Sequence, residues 1–226
     1  MTDTLTDLED RIGYHFTDRE LIVRALSHAS AALAQGTIGY ERLEFLGDRV
    51  LGLVIAELLY HRFPSEPEGD LAMRLNALVR AETCAEVALE LDIGSAIRLT
   101  KGEERAGVRD RSSVLSDVTE AVIAALYLDG GLECARSFIE ANWLPKLDAM
   151  GGPPRDAKTE LQEWAQSKQK GLPAYAAVGR SGPDHAPIFE VEVKIAGISP
   201  VTGTGPSKRT AEQAAAIAML QREGLR

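Results

Sequence analysis

The stretch Glu41-Arg42-Leu43-Glu44-Phe45-Leu46-Gly47-Asp48-Arg49-Val50-Leu51 carries two patterns at once. Leu43, Leu46, Val50 and Leu51, continued by Val54 and Leu58, recur close to every 3.6 residues and predict a helix from Arg42 to His61. Glu41, Glu44 and Asp48 stand at i, i+3 and i+7, within roughly 60° of arc at about 100° per residue, so the helix also bears an acidic stripe. Outward from this segment the helical period persists. Asp70 to Leu91 repeats it through Leu71, Leu75, Leu78, Val79 and Val87, and Ser113 to Leu128 and Leu132 to Leu147 follow. Alternating strand patterns are scarce, so this region is expected to be all-α.

The period breaks at Ala149-Met-Gly-Gly-Pro-Pro-Arg-Asp-Ala157, because Gly151-Gly152-Pro153-Pro154 cannot continue a helix. Two domains are expected: 1–150, a linker over 151–156, and 157–226. In the second, Lys158 to Lys170 reads as a helix with Leu161, Trp164 and Ala165 on one face and Gly171 as its stop. Ala174 to Arg180 and Ile188 to Ile195 read as strands, the latter alternating from Phe189 onward, with Gly182-Pro183-Asp184 as the loop between them. Ile198 to Gly205 is a third strand, and Ser207 to Gln221 a helix with a serine start. The fold class is therefore multidomain, an all-α domain followed by a small α+β domain of order α-β-β-β-α.

Charge divides along the same line. Residues 1–154 hold 15 Lys/Arg against 26 Asp/Glu, a balance of −11, whereas residues 155–226 hold 10 against 8, a balance of +2. The acidic part repels a phosphate backbone unless cations intervene, and the tail is the better first contact for a polyanion. The longest apolar run, Leu51 to Tyr60, is too short for a bilayer and contains Glu57, and the acidic segment Met1 to Asp10 has no signal pattern. No membrane association and a cytoplasmic location are expected. Cys84 and Cys134 have no metal-ligand spacing and read as buried small hydrophobes.

A second acidic pair, Asp117 and Glu120 at i, i+3, lies in a very apolar helix, among Val114, Leu115, Val118, Ala121, Val122 and Ile123. Carboxylates drawn together there repel unless a proton, an Arg or Lys partner, or a divalent cation compensates. Oxygen donors with no His or Cys nearby suit magnesium better than zinc. Spacing leaves the choice open: acids at i, i+3 are most often solvated surface groups, and Arg42 and Arg49 are available partners. His15, His28, His61 and His185 show no spacing that supports a nucleophile or a metal-independent histidine pair.

Residues 41–51 resemble the signature of the ribonuclease III family, E-R-L-E-F-L-G-D-S-[VI]-L, at ten of eleven positions, the departure being Arg49 in place of serine. Leu115-Ser-Asp117-Val-Thr-Glu120-Ala-Val-Ile123 resembles the family's second block, and Glu68-Gly-Asp70-Leu-Ala-Met-Arg74 with Leu78-Val-Arg80 a third. The resemblance implies a magnesium cluster of Glu44, Asp48, Asp117 and Glu120, with manganese as a substitute, and with Asp48 and Glu120 carrying catalysis. It implies supporting or RNA-positioning roles for Glu41 and Glu68. It also implies a homodimer through the nuclease domain, each subunit cutting one strand, with Phe45 either a dimer contact or a core aromatic. The reaction so implied is in-line hydrolysis of double-stranded RNA without an organic cofactor, leaving 5′-phosphate and 3′-hydroxyl ends with a short 3′ overhang, in the processing of rRNA and mRNA precursors.

The tail resembles a double-stranded-RNA-binding domain along its length: Lys158–Gln166 in the first helix, Gly182-Pro183-Asp184-His185 in the first loop, and Gly203–Ala215 in the glycine-rich entry to the second helix. A-form RNA is read through shape, phosphates and 2′-hydroxyls. Thr159, Gln162 and Gln166 at i, i+3, i+7 are candidates for one minor groove, His185 for the next, and Ser207, Lys208 and Arg209 at a helix start for phosphate. A non-catalytic RNA binder on the same fold is the alternative, and retention of all four cluster carboxylates weighs against it.

Overall fold

A computed structural model of the chain describes residues 4–34, 36–154, 156–183 and 186–225. The chain divides into two compact units, Met1–Pro154 and Arg155–Arg226. Among the described residues no helix is long and apolar enough to cross a membrane.

The first unit is helical: α1 (Thr4–Ile12), α2 (Arg19–Ala25), α3 (Ala29–Ala34), α4 (Glu41–Arg62), α5 (Glu68–Leu78), α6 (Ala81–Glu90), α7 (Lys101–Arg105) and α8 (Ser112–Ala149). Helices α4 and α8 form its centre. The first buries Leu43, Gly47, Val50, Leu51, Val54, Ile55 and Leu59; the second is buried almost continuously from Val114 to Leu126. A helix apolar around most of its circumference has to be enclosed, and α8 is. Gly131, at φ 78° and ψ −177°, interrupts α8 between the two helical segments expected there. Backbone N–H groups of Thr17 and Asp18 and the Tyr14 hydroxyl donate to the Asp129 carboxylate beside the break, at 2.8–2.9 Å.

The single helix expected from Asp70 to Leu91 is two helices instead. Arg80 is extended, at φ −69° and ψ 156°, between α5 and α6. The indole Nε1 of Trp143 donates to the Leu78 carbonyl at 2.8 Å, and the Thr83 hydroxyl donates to the Ala77 carbonyl at 2.8 Å. These side chains satisfy carbonyls that a continuous helix would have used. Cys84 is buried, as expected, whereas Cys134 is only partly so.

The second unit comprises α9 (Ala157–Ser167), β1 (Ala174–Ser181), β2 (Ile188–Ile195), β3 (Ile198–Gly205) and α10 (Lys208–Arg222). The strands form one antiparallel sheet in the order β1-β2-β3, with Tyr175 opposite Val193 and Val193 opposite Val201. Val191, Val193 and Ile195 are buried on one face, the alternation expected for β2. Val193 and Ile195 meet Leu161 and Ala165 of α9 and Ala215, Ala216, Met219 and Leu220 of α10. Helix α9 stops at Ser167, before Gly171, because Gln169 takes the left-handed conformation (φ 57°) and the Lys170 N–H returns to the Ala165 carbonyl at 2.9 Å.

Candidate active site and RNA-binding surface

Gly47 decides where the acidic stripe of α4 goes. A Cβ at this position would lie inside the van der Waals shell of the Glu120 carbonyl on α8. The two helices therefore touch backbone to backbone at a residue flanked by Glu44 and Asp48, and the point of contact on α8 is Glu120 itself. A mid-helix glycine is about 1 kcal/mol less favourable than alanine; here it permits the crossing.

Close approach makes the carboxylates feel one another. Burial raises the Glu120 carboxyl to about 7, and the charges of Glu44 and Asp117 add to that, while Arg49 opposes it. Glu44 is raised by burial first, then by Asp117 and Glu41. Asp117 is raised by burial, opposed by the charge of His28 and by a hydrogen bond from Tyr40. The structure thus brings Glu41, Glu44, Asp117 and Glu120 into one electrostatic group drawn from two helices. The Asp48 carboxylate pairs with the adjacent guanidinium of Arg49. As placed, no three His, Cys, Asp or Glu side chains among the described residues could jointly hold an ion. The donor chemistry nonetheless fits a hard divalent cation: Glu44, Asp117 and Glu120 are half-buried carboxylates that repel each other, and the charges of Arg49 and His28 offset that repulsion only in part, since all three stay raised.

Three neighbours of this group escaped the sequence reading. Tyr40, the residue before α4, is buried and its phenol is held protonated by burial and by Asp117, Glu41 and Glu44, so it serves Asp117 as a donor. His28 packs edge-on against the Tyr40 ring at 5.8 Å and pairs through Nδ1 with Glu103 at 2.9 Å. Glu103 is lowered to about 2, chiefly by the Ser30 hydroxyl, and it also closes a capping box with Thr100. Cys84 places Sγ 4.0 Å from Glu120 Oε1, and burial pushes its thiol to about 12. The only sequence signal for any of them was the position of Tyr40 immediately before the acidic stripe.

Glu68 is exposed at the start of α5 and contributes to none of the shifts in the cluster. In that block Arg74 is the hub instead. It is almost wholly buried, donates to both Glu66 oxygens at 2.8 and 2.9 Å, and lies over the Phe63 ring at 4.1 Å. Phe45 is 68% exposed, which removes the core reading of it.

In the second unit, Gly203 and Gly205 of β3 let α10 close onto the strand, since a Cβ on either would strike its backbone. That contact fixes the start of α10, where the Ser207 hydroxyl accepts from the Thr210 N–H at 3.2 Å and Lys208 and Arg209 are exposed. Asp156 caps α9 by accepting from the N–H groups of Lys158 and Thr159. Thr159, Gln162 and Gln166 are exposed along that helix. Lys158 is engaged with Glu212 at 2.6 Å and with the Tyr175 ring. His185 lies outside the described residues.

Residues 18–147 match the Ribonuclease-III-like family and residues 157–223 the Double-stranded RNA binding motif. The chain is 53% identical over 220 residues to Ribonuclease 3 of Caulobacter vibrioides, covering 96% of this chain and 95% of that protein. It is 50% identical over 216 residues to Ribonuclease 3 of Mesorhizobium japonicum, covering 96% and 98%. Among solved structures it resembles the nuclease domain of ribonuclease III from Campylobacter jejuni, with a TM-score of 0.58 and 39% identity over 62% of this chain and 99% of that one. A helical unit whose two carboxylate helices cross at a glycine, joined to an RNA-binding motif and matched along nearly its whole length by such relatives, belongs to the ribonuclease III family.

Proposed function

We propose that the chain is an endoribonuclease that hydrolyses double-stranded RNA at a centre formed by Glu44, Asp48, Asp117 and Glu120, using magnesium, with manganese as a substitute. The carrying observation is the crossing of α4 and α8 at Gly47 and Glu120, which makes one electrostatic group out of carboxylates more than seventy positions apart.

Glu44, Asp48, Asp117 and Glu120 would hold the divalent ion, which would supply an activated water and charge neutralisation at the 3′-oxygen. The chain's own part is to present those carboxylates. Burial keeps the dielectric low around Glu120, Tyr40 orients Asp117, and the His28–Glu103 pair holds the Tyr40 ring edge-on. Asp48 and Glu120 are assigned the catalytic contacts, one from each helix. Glu41 and Glu68 are assigned to positioning RNA, Glu41 from the rim of the group and Glu68 from the exposed start of α5.

The domain assignment is nuclease over 1–150, linker over 151–156 and RNA binding over 157–226. In the last, Thr159, Gln162, Gln166 and His185 are assigned to 2′-hydroxyls, and Ser207, Lys208 and Arg209 to phosphate. Dimerisation through α4 fits the outward face that holds Phe45, Leu53 and Tyr60, all exposed. The three fall within about 80° of arc on the helix. Maturation of rRNA and mRNA precursors in the cytoplasm is the role this chemistry serves.

The test is a long uniform RNA duplex incubated with the protein in Mg2+, in Mn2+ and in EDTA, with mapping of the product ends. Short duplexes with 5′-phosphates in either metal, and none in EDTA, are expected. Tight duplex binding without cutting in any divalent ion would favour the non-catalytic binder.

A further inference from the structure

Arg49 meets the acidic group at two points. Its guanidinium pairs with the carboxylate of Asp48, and its charge reaches Glu120 on the facing helix. Neighbours at i and i+1 do not ordinarily face each other on a helix. The Phe45 ring one turn earlier explains the contact: the Arg49 guanidinium lies 5.5 Å from its centroid, so the side chain runs back toward the start of α4 and passes Asp48 on the way. The guanidinium therefore stands at the edge of the site, paired with Asp48 and over the Phe45 ring, with Glu120 within reach of its charge.

We propose that Arg49 is a tethered cation that competes with the divalent ion for Asp48, occupying that carboxylate in the metal-free protein and swinging away when metal binds. The inference rests on the metal cluster proposed above. Both side chains are accessible, Arg49 at 67% and Asp48 at 38%, so solvent can take the guanidinium when the pair opens. The pair is correspondingly weak, and displacing it costs the ion little. In the signature that this segment resembles, serine stands at this position and carries no charge to compete.

The test is Mn2+ titration of the full-length protein, reading free Mn2+ by electron paramagnetic resonance, for wild type, Arg49→Ser, Arg49→Lys and the double variant Asp117→Asn/Glu120→Gln. Melting curves in EDTA establish that each variant is folded. Arg49→Ser is expected to bind Mn2+ on the order of fivefold more tightly than wild type, the scale of an exposed ion pair. Arg49→Lys, which keeps the charge, is expected to stay near wild type. Equal or weaker binding by Arg49→Ser overturns the proposal, as does an equal gain in both Arg49 variants, which would trace the effect to packing on Phe45. If the double variant binds Mn2+ like wild type, the cluster itself is wrong and the Arg49 proposal falls with it. If the double variant loses the site while Arg49→Ser matches wild type, the cluster stands and only the competition is refuted.

Discussion

Gly47 on α4 lies against the backbone carbonyl of Glu120 on α8 with no room for a Cβ. The contact sets the distance between two helices and, with it, the distance between two sets of carboxylates. Any side chain at position 47 has to push the helices apart at the point where the site is assembled.

Gly47→Ala is therefore expected to damage activity more than its size suggests. Overpacking at a backbone contact costs about 1–3 kcal/mol, less whatever helix propensity alanine recovers. Melting should show a folded, destabilised protein, and cleavage should fall by at least tenfold with duplex affinity retained through the second unit. Wild-type cleavage in a folded Gly47→Ala protein would show that the crossing does not set the site.

The carboxylates themselves were legible in the sequence. Glu41, Glu44 and Asp48 share a helix face at i, i+3, i+7, and Asp117 and Glu120 share another, so local periodicity made them candidates, while the resemblance to the family's blocks, and not spacing, chose a metal cluster over solvated surface acids. What joins the two faces was not legible, because a glycine inside a helical pattern reads first as a local cost and not as a crossing point. Tyr40 and His28 acquire their roles from tertiary approach alone, with no spacing to announce them. The division between α5 and α6 escaped for a similar reason: the Leu78 carbonyl is satisfied by Trp143, 65 residues away, which no local window contains. The sheet of the second unit was readable strand by strand, since alternation in Ile188–Ile195 follows directly from one buried face.

The Glu120 carboxyl gives the metal-free protein a defined pH response. Its folded value, about 7, lies above the ordinary carboxylate value, so the folded state holds this proton more tightly than the unfolded chain. The stability it contributes is fully present below the unfolded value near 4.5 and is lost as pH rises through about 7. In EDTA, this group should lower the melting temperature between pH 5 and pH 8 by a few degrees, at about 2–4 °C per kcal/mol for a chain of this length. Glu120→Gln should flatten that window, and the rise produced by Mg2+ should grow with pH, since metal and proton compete for the same oxygens. Identical pH profiles for wild type and Glu120→Gln in EDTA would contradict the burial assigned to this carboxylate.

Tyr40→Phe removes the hydroxyl that donates to Asp117 while keeping the buried ring. One hydrogen bond contributes about 1 kcal/mol, so a roughly three- to tenfold fall in single-turnover rate is expected, with duplex affinity unchanged. A fall in affinity instead of rate would place Tyr40 outside the carboxylate group.

Lys208 and Arg209 are exposed at the start of α10. Replacing both by alanine should weaken duplex binding similarly across RNA sequences. It should also reduce the slope of log affinity against log salt by about 2, one for each phosphate no longer neutralised. An unchanged salt slope would mean that neither residue meets phosphate.

The most direct test of the central claim is single-turnover cleavage of an end-labelled RNA duplex by wild type and Glu120→Gln in Mg2+, with duplex affinity measured on the same preparations. A fall in cleavage on the order of a thousandfold or more, with affinity within about twofold of wild type, is the outcome predicted for a carboxylate that acts on the reaction and not on RNA recognition. Cleavage by Glu120→Gln near the wild-type rate would contradict the account, and the crossing of α4 and α8 at Gly47 would then be a packing feature alone.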